Sequence, residues 1–157
     1  MVGFGYDSHR FEEGKPLMIG GIKITDEFGC VSHSDGDTFI HALCDALLGA
    51  AGLGDIGEKF PDTDHIYEDY DSTLFLIEIV ELIESHGFSI VNIDSTIVLE
   101  KPKLIEFKEQ IRREISELCR IPMARVNVKA KTNEGMGFVG RLEGIAVYCI
   151  CELKEKQ

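Results

Sequence analysis

Asp7-Ser8-His9 and His41 supply the residue types of a divalent-metal site. Residues two apart on a strand point to the same side, so a strand ending at Asp7 and His9 turns a carboxylate and an imidazole toward one ion. His41 offers a third ligand from a helix opened by Ser34-Asp35-Gly36-Asp37. One carboxylate and two imidazoles leave a coordination position open, the arrangement of a catalytic zinc rather than of a closed four-ligand structural site. A lone His on an apolar helix face is more often a satisfied core residue. Here, however, Asp37 and Asp45 lie four residues to either side of His41, on the same face of the helix. A carboxylate accepting from the second ring nitrogen is the usual support of a metal-bound His, a role that falls to Asp45, with Asp37 as the alternative.

A second concentration of chemistry lies at Lys129-Ala130-Lys131-Thr132-Asn133-Glu134-Gly135-Met136-Gly137-Phe138, where a strand gives way to a loop. Glycines permit close backbone approach and N–H groups that face an anion, the lysines add positive charge, and Glu134 can hold a second, harder cation. Arg141 is a candidate phosphate contact. Taken alone, the segment reads equally well as a solvated turn. Together with the Asp/His set it points to metal-dependent chemistry on a phosphorylated small molecule.

The elements that must position these residues follow from hydrophobic spacing. Val2–Tyr6 and Leu17–Ile24 read as strands, the second interrupted by Gly20-Gly21. Asp37–Ala50 reads as a helix, with Phe39, Ile40, Leu43, Cys44, Leu47 and Leu48 at helical spacing. Gly52, Gly54 and Gly57 break it into a loop that runs through Phe60 to Asp64. Ser72 reads as the N-cap of a helix stopped by His86-Gly87. Phe88–Leu99 is β-rich, Lys103–Leu118 is an amphipathic helix, and Val126–Ala130 and Gly144–Leu153 close the chain as strands. Helices alternating with strands give a single α+β domain over residues 1–157, an α/β sandwich with helices packed on one face of a mixed sheet. The last strand is apolar on at least one face, a hint of burial against a second copy.

Composition removes several classes of partner. The net charge is −12, so the chain repels nucleic-acid backbones and anionic membranes, whose affinity comes from Lys and Arg. No apolar stretch approaches the ~20 residues of a membrane helix, and the first residues carry no signal sequence, so a cytoplasmic protein is expected. Cys30, Cys44, Cys119, Cys149 and Cys151 are odd in number and lack C-x-x-C spacing, which fits reduced, buried thiols. His65 and His86 read as surface residues and Glu106–Glu117 as a solvated helix face.

Six motifs run in order along the chain: Gly3-Phe4-Gly5-Tyr6-Asp7-Ser8-His9, Ser32-His33-Ser34-Asp35-Gly36-Asp37, Asp45-Ala46-Leu47-Leu48-Gly49-Ala50, Gly54-Asp55-Ile56-Gly57, Phe60-Pro61-Asp62-Thr63-Asp64, and Lys129 to Phe138. Together they resemble the 2-C-methyl-D-erythritol 2,4-cyclodiphosphate synthases of the non-mevalonate isoprenoid pathway, over essentially the whole chain. The resemblance implies a ferredoxin-like protomer, a homotrimer, and active sites in clefts between neighbouring subunits. It implies zinc, or another divalent cation, on Asp7, His9 and His41, and Mg2+ or Mn2+ on Glu134 at the diphosphate. By the same resemblance His33 and Ser34 contact the methylerythritol phosphate, with His33 and Thr132 stabilising the transition state. Asp55, Ile56 and Gly57, with Phe60, Pro61, Asp62, Thr63 and Asp64, line the sugar-alcohol and phosphate pocket. The cytidine diphosphate portion falls to Leu99–Ile105, including Lys103, and to Lys131, Thr132, Asn133 and Glu134 of the next subunit. Phe138 and Arg141 complete the pocket or the adjacent trimer axis. Two positions depart from the family pattern: Lys131 stands in what is commonly a run of threonines, and Leu142 where a glycine is common.

The implied reaction is attack of the substrate's own 2-phosphate on the β-phosphorus, with release of CMP. Its nucleophile is already anionic, so the lack of a Ser-His-Asp or Cys-His set is no obstacle. Two rivals remain at this point: a zinc phosphohydrolase using water at the open metal position, and a trimer that binds an isoprenoid phosphate without turning it over.

Overall fold

The computed structural model describes residues 1–156. Its centre is a five-stranded mixed sheet whose strands lie in the order β4 (Phe28–Cys30), β1 (Val2–Glu13), β7 (Gly144–Glu155), β5 (Phe88–Val98) and β6 (Val126–Lys131). The first strand, β1 (Val2–Glu13), runs well beyond Tyr6, so Asp7 and His9 lie inside a strand rather than at its end. The extension is set by pairing: β7 (Gly144–Glu155) lies antiparallel to β1 from Val2↔Glu152 to Arg10↔Gly144 and holds the polar stretch extended. Leu17–Ile24 is not one strand. Gly20 and Gly21 both take positive φ, splitting it into the hairpin β2 (Leu17–Ile19) and β3 (Ile22–Thr25). A short edge strand, β4 (Phe28–Cys30), pairs with the end of β1; its three residues carry too little pattern to be read from sequence.

The helix α1 (Thr38–Ala51) begins and ends as its residues dictate. Asp37 caps it, accepting from the Ile40 N–H, and Gly52 closes it in the left-handed conformation. It buries Phe39, Ile40, Leu43, Leu47 and Leu48 completely, each contributing about 1.5–3 kcal/mol. Its contact with the sheet is unusually close because β1 presents Gly3 and Gly5 to it. A Cβ at Gly5 would lie 1.8 Å from the Ala42 carbonyl oxygen, and one at Gly3 would lie 1.9 Å from that of Ala46. Gly3, Gly5, Asp7 and His9 alternate onto one face of β1, so the glycines that admit the helix also bring His41 down onto Asp7.

A four-residue helix, α2 (Ile56–Lys59), follows. Next comes α3 (Ser72–Ser85), capped by Asp71 rather than Ser72: Asp71 Oδ1 accepts from the Thr73 N–H, and Ser72 is the first helical residue. At its other end His86 contacts the Leu82 carbonyl at 2.9 Å, the helix-end position its sequence suggested. β5 (Phe88–Val98) lies beside β7 and parallel to β6 (Val126–Lys131). Between them α4 (Lys108–Leu118) starts five residues later than the pattern at Lys103 suggests, because 104–107 form a turn in which Phe107 and Lys108 both donate to the Leu104 carbonyl. A last short helix, α5 (Gly137–Gly140), precedes β7.

β1 and β5 run parallel with β7 between them, a split βαβ unit. α1, α3 and α4 cover one face, around a core that includes all five cysteines, each free and buried. The other face leaves Phe4, Tyr6, Tyr148 and Ile150 exposed. Among the described residues no helix is long and apolar enough to cross a membrane.

Candidate metal centre and phosphate pocket

Asp7 Oδ2 lies 3.0 Å from His9 Nδ1 and 3.2 Å from His41 Nδ1, with the three side chains between 12% and 24% exposed. Their ligand atoms all fall within 4.8 Å of one another, and no other such group of His, Cys, Asp and Glu occurs among the described residues. Asp7 Oδ2 is buried and accepts no hydrogen bond. A buried carboxylate oxygen without a donor is costly. The donor set, hard oxygen with two imidazoles, fits a divalent cation such as zinc, and such an ion would resolve the orphaned oxygen.

The electrostatics agree with the geometry. Burial pushes the Asp7 carboxyl up, but the flanking His41 and His9 outweigh it and hold Asp7 below its ordinary value. Burial pushes His41 down, but Asp7 beside it prevails and raises the ring above an ordinary imidazole. Each group stabilises the charged form of the other: the carboxylate stays negative, which suits a cation, and the imidazole holds a proton that such a cation must displace.

The expected support of His41 is different from the one observed. Asp45 Oδ1 accepts from the Ile56 N–H at 2.8 Å, fastening α2 to α1 instead of meeting the ring. Asp37 is wholly buried and accepts from the N–H groups of Gly20, Gly21 and Ile40. Burial, with Asp35 nearby, pushes its carboxyl up to about 6. The four-residue spacing put both carboxylates on the right helical face, but closer backbone donors claim them. The far nitrogen of His41, Nε2, instead meets the hydroxyls of Ser72 at 3.0 Å and Ser34 at 3.2 Å. Ser72 had been legible only as a helix cap.

A cavity of about 310 Å³ opens over these residues, lined among others by Asp7, His9, His41, His33, Ser34, Ile56, Gly57, Phe60 and Asp62. Nine of the sequence-derived site residues thus converge. Asp55, Pro61, Thr63 and Asp64 flank the cavity along the same loop. Asp55 caps α2 through the Glu58 N–H, and the Asp64 carbonyl oxygen lies 3.2 Å from His33 Nε2. The sequence reading missed Ser32, Tyr67 and Phe75, which also line the cavity. Phe75 packs against Phe60 in a tilted arrangement at 4.4 Å between centroids and meets Tyr67 at 5.5 Å, forming an aromatic wall. Phe75 had the pattern of a core helix residue, and nothing in Tyr67 as a residue type separated it from other loop aromatics.

The remaining candidates lie elsewhere in the same chain. Pairing puts Asp7 beside Val147, Val147 beside Ile97 and Ile97 beside Ala130, so Lys131 is level with Ser8 but three strands across. At ~4.8 Å per strand that is about 14 Å. Thr132, Asn133 and Glu134 follow it. Glu134 adopts φ 52°, with its N–H 3.4 Å from Thr132 Oγ1, and Asn133 N–H donates to Glu100 Oε1 at 2.6 Å. Lys103 is exposed on the 104–107 turn's approach. Phe138 lines a separate recess with Ser8, His9, Arg10 and Glu143, and Arg141 is engaged by Glu143 at 2.9 Å.

Comparison with known proteins matches residues 1–154 to the model of the YgbB family. A 2-C-methyl-D-erythritol 2,4-cyclodiphosphate synthase of Syntrophus aciditrophicus is 49% identical, over 99% of this chain and 98% of that protein. Among solved structures, the bifunctional IspDF of Campylobacter jejuni superposes with a TM-score of 0.95 at 42% identity, covering 98% of this chain. This chain spans only 42% of that larger protein. The CDP complex of IspF from Plasmodium falciparum gives a TM-score of 0.87 at 32% identity, over 99% of this chain and 96% of that one.

Proposed function

The chain belongs to the YgbB family, and from that premise we propose that it is a lyase converting 4-diphosphocytidyl-2-C-methyl-D-erythritol 2-phosphate to 2-C-methyl-D-erythritol 2,4-cyclodiphosphate and CMP, a step of isoprenoid precursor biosynthesis. The observation that carries the reading is the orphaned Asp7 Oδ2 between two imidazoles, lining a cavity shared with His33, Ser34 and Phe60.

In this reaction a 2-phosphate oxygen attacks the β-phosphorus and the bond to the CMP oxygen breaks, with no external nucleophile. What it needs from a protein is positioning of mutually repelling phosphates and an environment that tolerates charge moving onto the leaving group. Zinc on Asp7, His9 and His41, and Mg2+ or Mn2+ at Glu134, would supply charge neutralisation when bound. The chain's own residues do the rest. His33 and Ser34 hold the methylerythritol phosphate end, His33 and Thr132 donate toward the reacting phosphates, and the aromatic wall of Phe60, Tyr67 and Phe75 excludes water. Ile56, Gly57 and the segment Phe60 to Asp64, with Asp55, shape the sugar-alcohol pocket. Lys103 and Lys131 to Glu134 take the cytidine diphosphate portion, the ligand class named for the Plasmodium relative.

We assign this reaction to a homotrimer with sites between subunits. The loop at Lys131–Glu134 is level with the metal centre but about 14 Å away in one chain, so a neighbouring copy is the simple way to bring the two together. The exposed Phe4, Tyr6, Tyr148 and Ile150 give the uncovered sheet face an apolar surface to bury between copies. Phe138 and Arg141 then complete the pocket or face the trimer axis. The split βαβ unit supports describing the protomer as ferredoxin-like, one cyclodiphosphate synthase domain over 1–157. Free, buried cysteines and a net charge of −12 suit a cytoplasmic enzyme with a small-molecule substrate and neither nucleic-acid nor membrane partners.

The test is incubation with the diphosphocytidyl substrate and magnesium, with and without a zinc chelator, followed by phosphorus NMR. Chelator-sensitive formation of a cyclic diphosphate and CMP is expected. Linear phosphate products would replace the synthase reading with a hydrolase, and no turnover by zinc-loaded protein would replace it with a binding protein.

A further inference from the structure

We propose that Ser72 and Asp35 form a hydrogen-bonded relay that fixes the tautomer of His41 and so turns its Nδ1 lone pair toward the metal position; the role rests on the metal reading above. Asp35 receives three bonds from its surroundings. Its Oδ2 accepts from the Ser72 N–H at 3.1 Å, and its Oδ1 accepts both from the Asp37 N–H at 3.1 Å and from the Ser72 hydroxyl. A carboxylate has no proton to give, so the single hydroxyl proton of Ser72 is committed to Asp35. Toward His41 the Ser72 oxygen then has only lone pairs to offer. His41 Nε2, 3.0 Å from that oxygen, must therefore be the donor. A neutral imidazole carries one proton, so Nδ1 is bare, and it is Nδ1 that faces Asp7 Oδ2 at 3.2 Å. An imidazole lone pair and a carboxylate lone pair at that distance repel unless a cation lies between them.

Ser34 reaches the same Nε2 at 3.2 Å but does not decide the matter. Its hydroxyl is also 3.3 Å from Ser32 Oγ and can turn to either partner. Ser72 has no such freedom: it is completely buried at the first turn of α3, and its hydroxyl is held by Asp35. The relay also explains why α3, remote from β1 in sequence, is fastened to the 33–37 loop: Asp35 N–H donates to the Tyr70 carbonyl at 3.1 Å just before the Ser72 contacts. Ser72 is thus a positioning residue, acting through His41.

Two measurements test this. The first is nitrogen NMR of the His-labelled, metal-free protein at a pH where the ring is neutral. It should show His41 protonated at Nε2 and bare at Nδ1. The second is zinc affinity, measured by competition with a chromogenic chelator in the absence of substrate. Ser72→Ala should bind zinc roughly 10–100-fold more weakly than the parent, the range found when the outer partner of a metal-bound His is removed. Ser34→Ala should stay within about threefold, below that range. A His41 protonated at Nδ1 in the parent would overturn the proposal even if the variant failed to fold. So would unchanged zinc affinity in folded Ser72→Ala, or a loss confined to Ser34→Ala. A parent protein that binds no zinc would instead remove the metal reading beneath it.

Discussion

Gly5→Ala adds one methyl group, and the structure specifies where it goes. The new Cβ would lie 1.8 Å from the Ala42 carbonyl oxygen and 2.8 Å from the Ala46 nitrogen, both backbone atoms of α1. No side chain can swing aside. To restore even a close C···O distance of ~3.3 Å, the helix must withdraw from β1 by about 1.5 Å. Overpacking of this kind costs about 1–3 kcal/mol, and the rigid obstacle here argues for the upper end. His41 immediately precedes Ala42, so the same withdrawal pulls its Nδ1 away from Asp7 Oδ2, now 3.2 Å distant. Urea unfolding of metal-free protein should show about 2–3 kcal/mol of destabilisation with an unchanged slope. Chelator competition should show zinc affinity reduced by at least about tenfold, because ligand geometry is lost. Gly49→Ala is the internal control: it lies in the same helix with nothing within 4 Å of its added Cβ, and should gain about 0.5–1 kcal/mol from helix propensity. If Gly5→Ala matches the parent in both stability and zinc affinity, the closeness of α1 to β1 does not set the metal site.

Four further expectations concern His41, Glu134 and Leu142. Protons and zinc compete for His41, whose ring Asp7 holds above its ordinary value of 6.5 despite burial. Apparent zinc affinity should therefore fall by about tenfold per pH unit once pH drops below that raised value, and calorimetric titration showing a flat profile between about pH 5.5 and 8 would exclude the competition. In the metal-free protein the same proton adds stability below pH 6.5 that is lost as pH rises through the raised value. Glu134→Gln should lower turnover mainly by raising the magnesium requirement, and a magnesium dependence identical to the parent's would take Glu134 out of that role. Leu142 adopts φ 62° and is half exposed, a left-handed conformation that suits glycine better; Leu142→Gly should raise unfolding free energy by about 0.5–1 kcal/mol, and a lower urea midpoint would mean its packing near Phe11 and Phe28 outweighs the strain.

Much of the candidate site was legible because its chemistry depends on short spacings. Asp7 and His9 share a face by strand alternation wherever the strand ends, so misplacing the end of β1 did no harm to the pairing. The bounds of α1 were likewise readable: the helix expected over Asp37–Ala50 spans Thr38–Ala51, with Asp37 as its cap and Gly52 as its stop, since helix ends are decided within a few residues. The same locality made the Asp45 reading fail. Four-residue spacing brings a carboxylate near a ring on an isolated helix, but which donor it meets depends on α2, and Ile56 was nearer. Ser72 was read as the nearest local role for a serine, and its actual partners, Asp35 and His41, are more than thirty residues away in sequence.

The sequence by itself thus determined the ligand types, the faces they occupy and the elements that carry them, because backbone periodicity and capping act over one or two turns. Only the tertiary structure decided what each ligand leans on and how far apart the two halves of the pocket lie. Those follow from sheet order and register: β7 and β5 stand between β1 and β6, so the Asp7/His9 segment and Lys131 are held about 14 Å apart in a single chain. No local pattern encodes that distance, because it is set by which strands pair, and pairing is a contest among all strands at once.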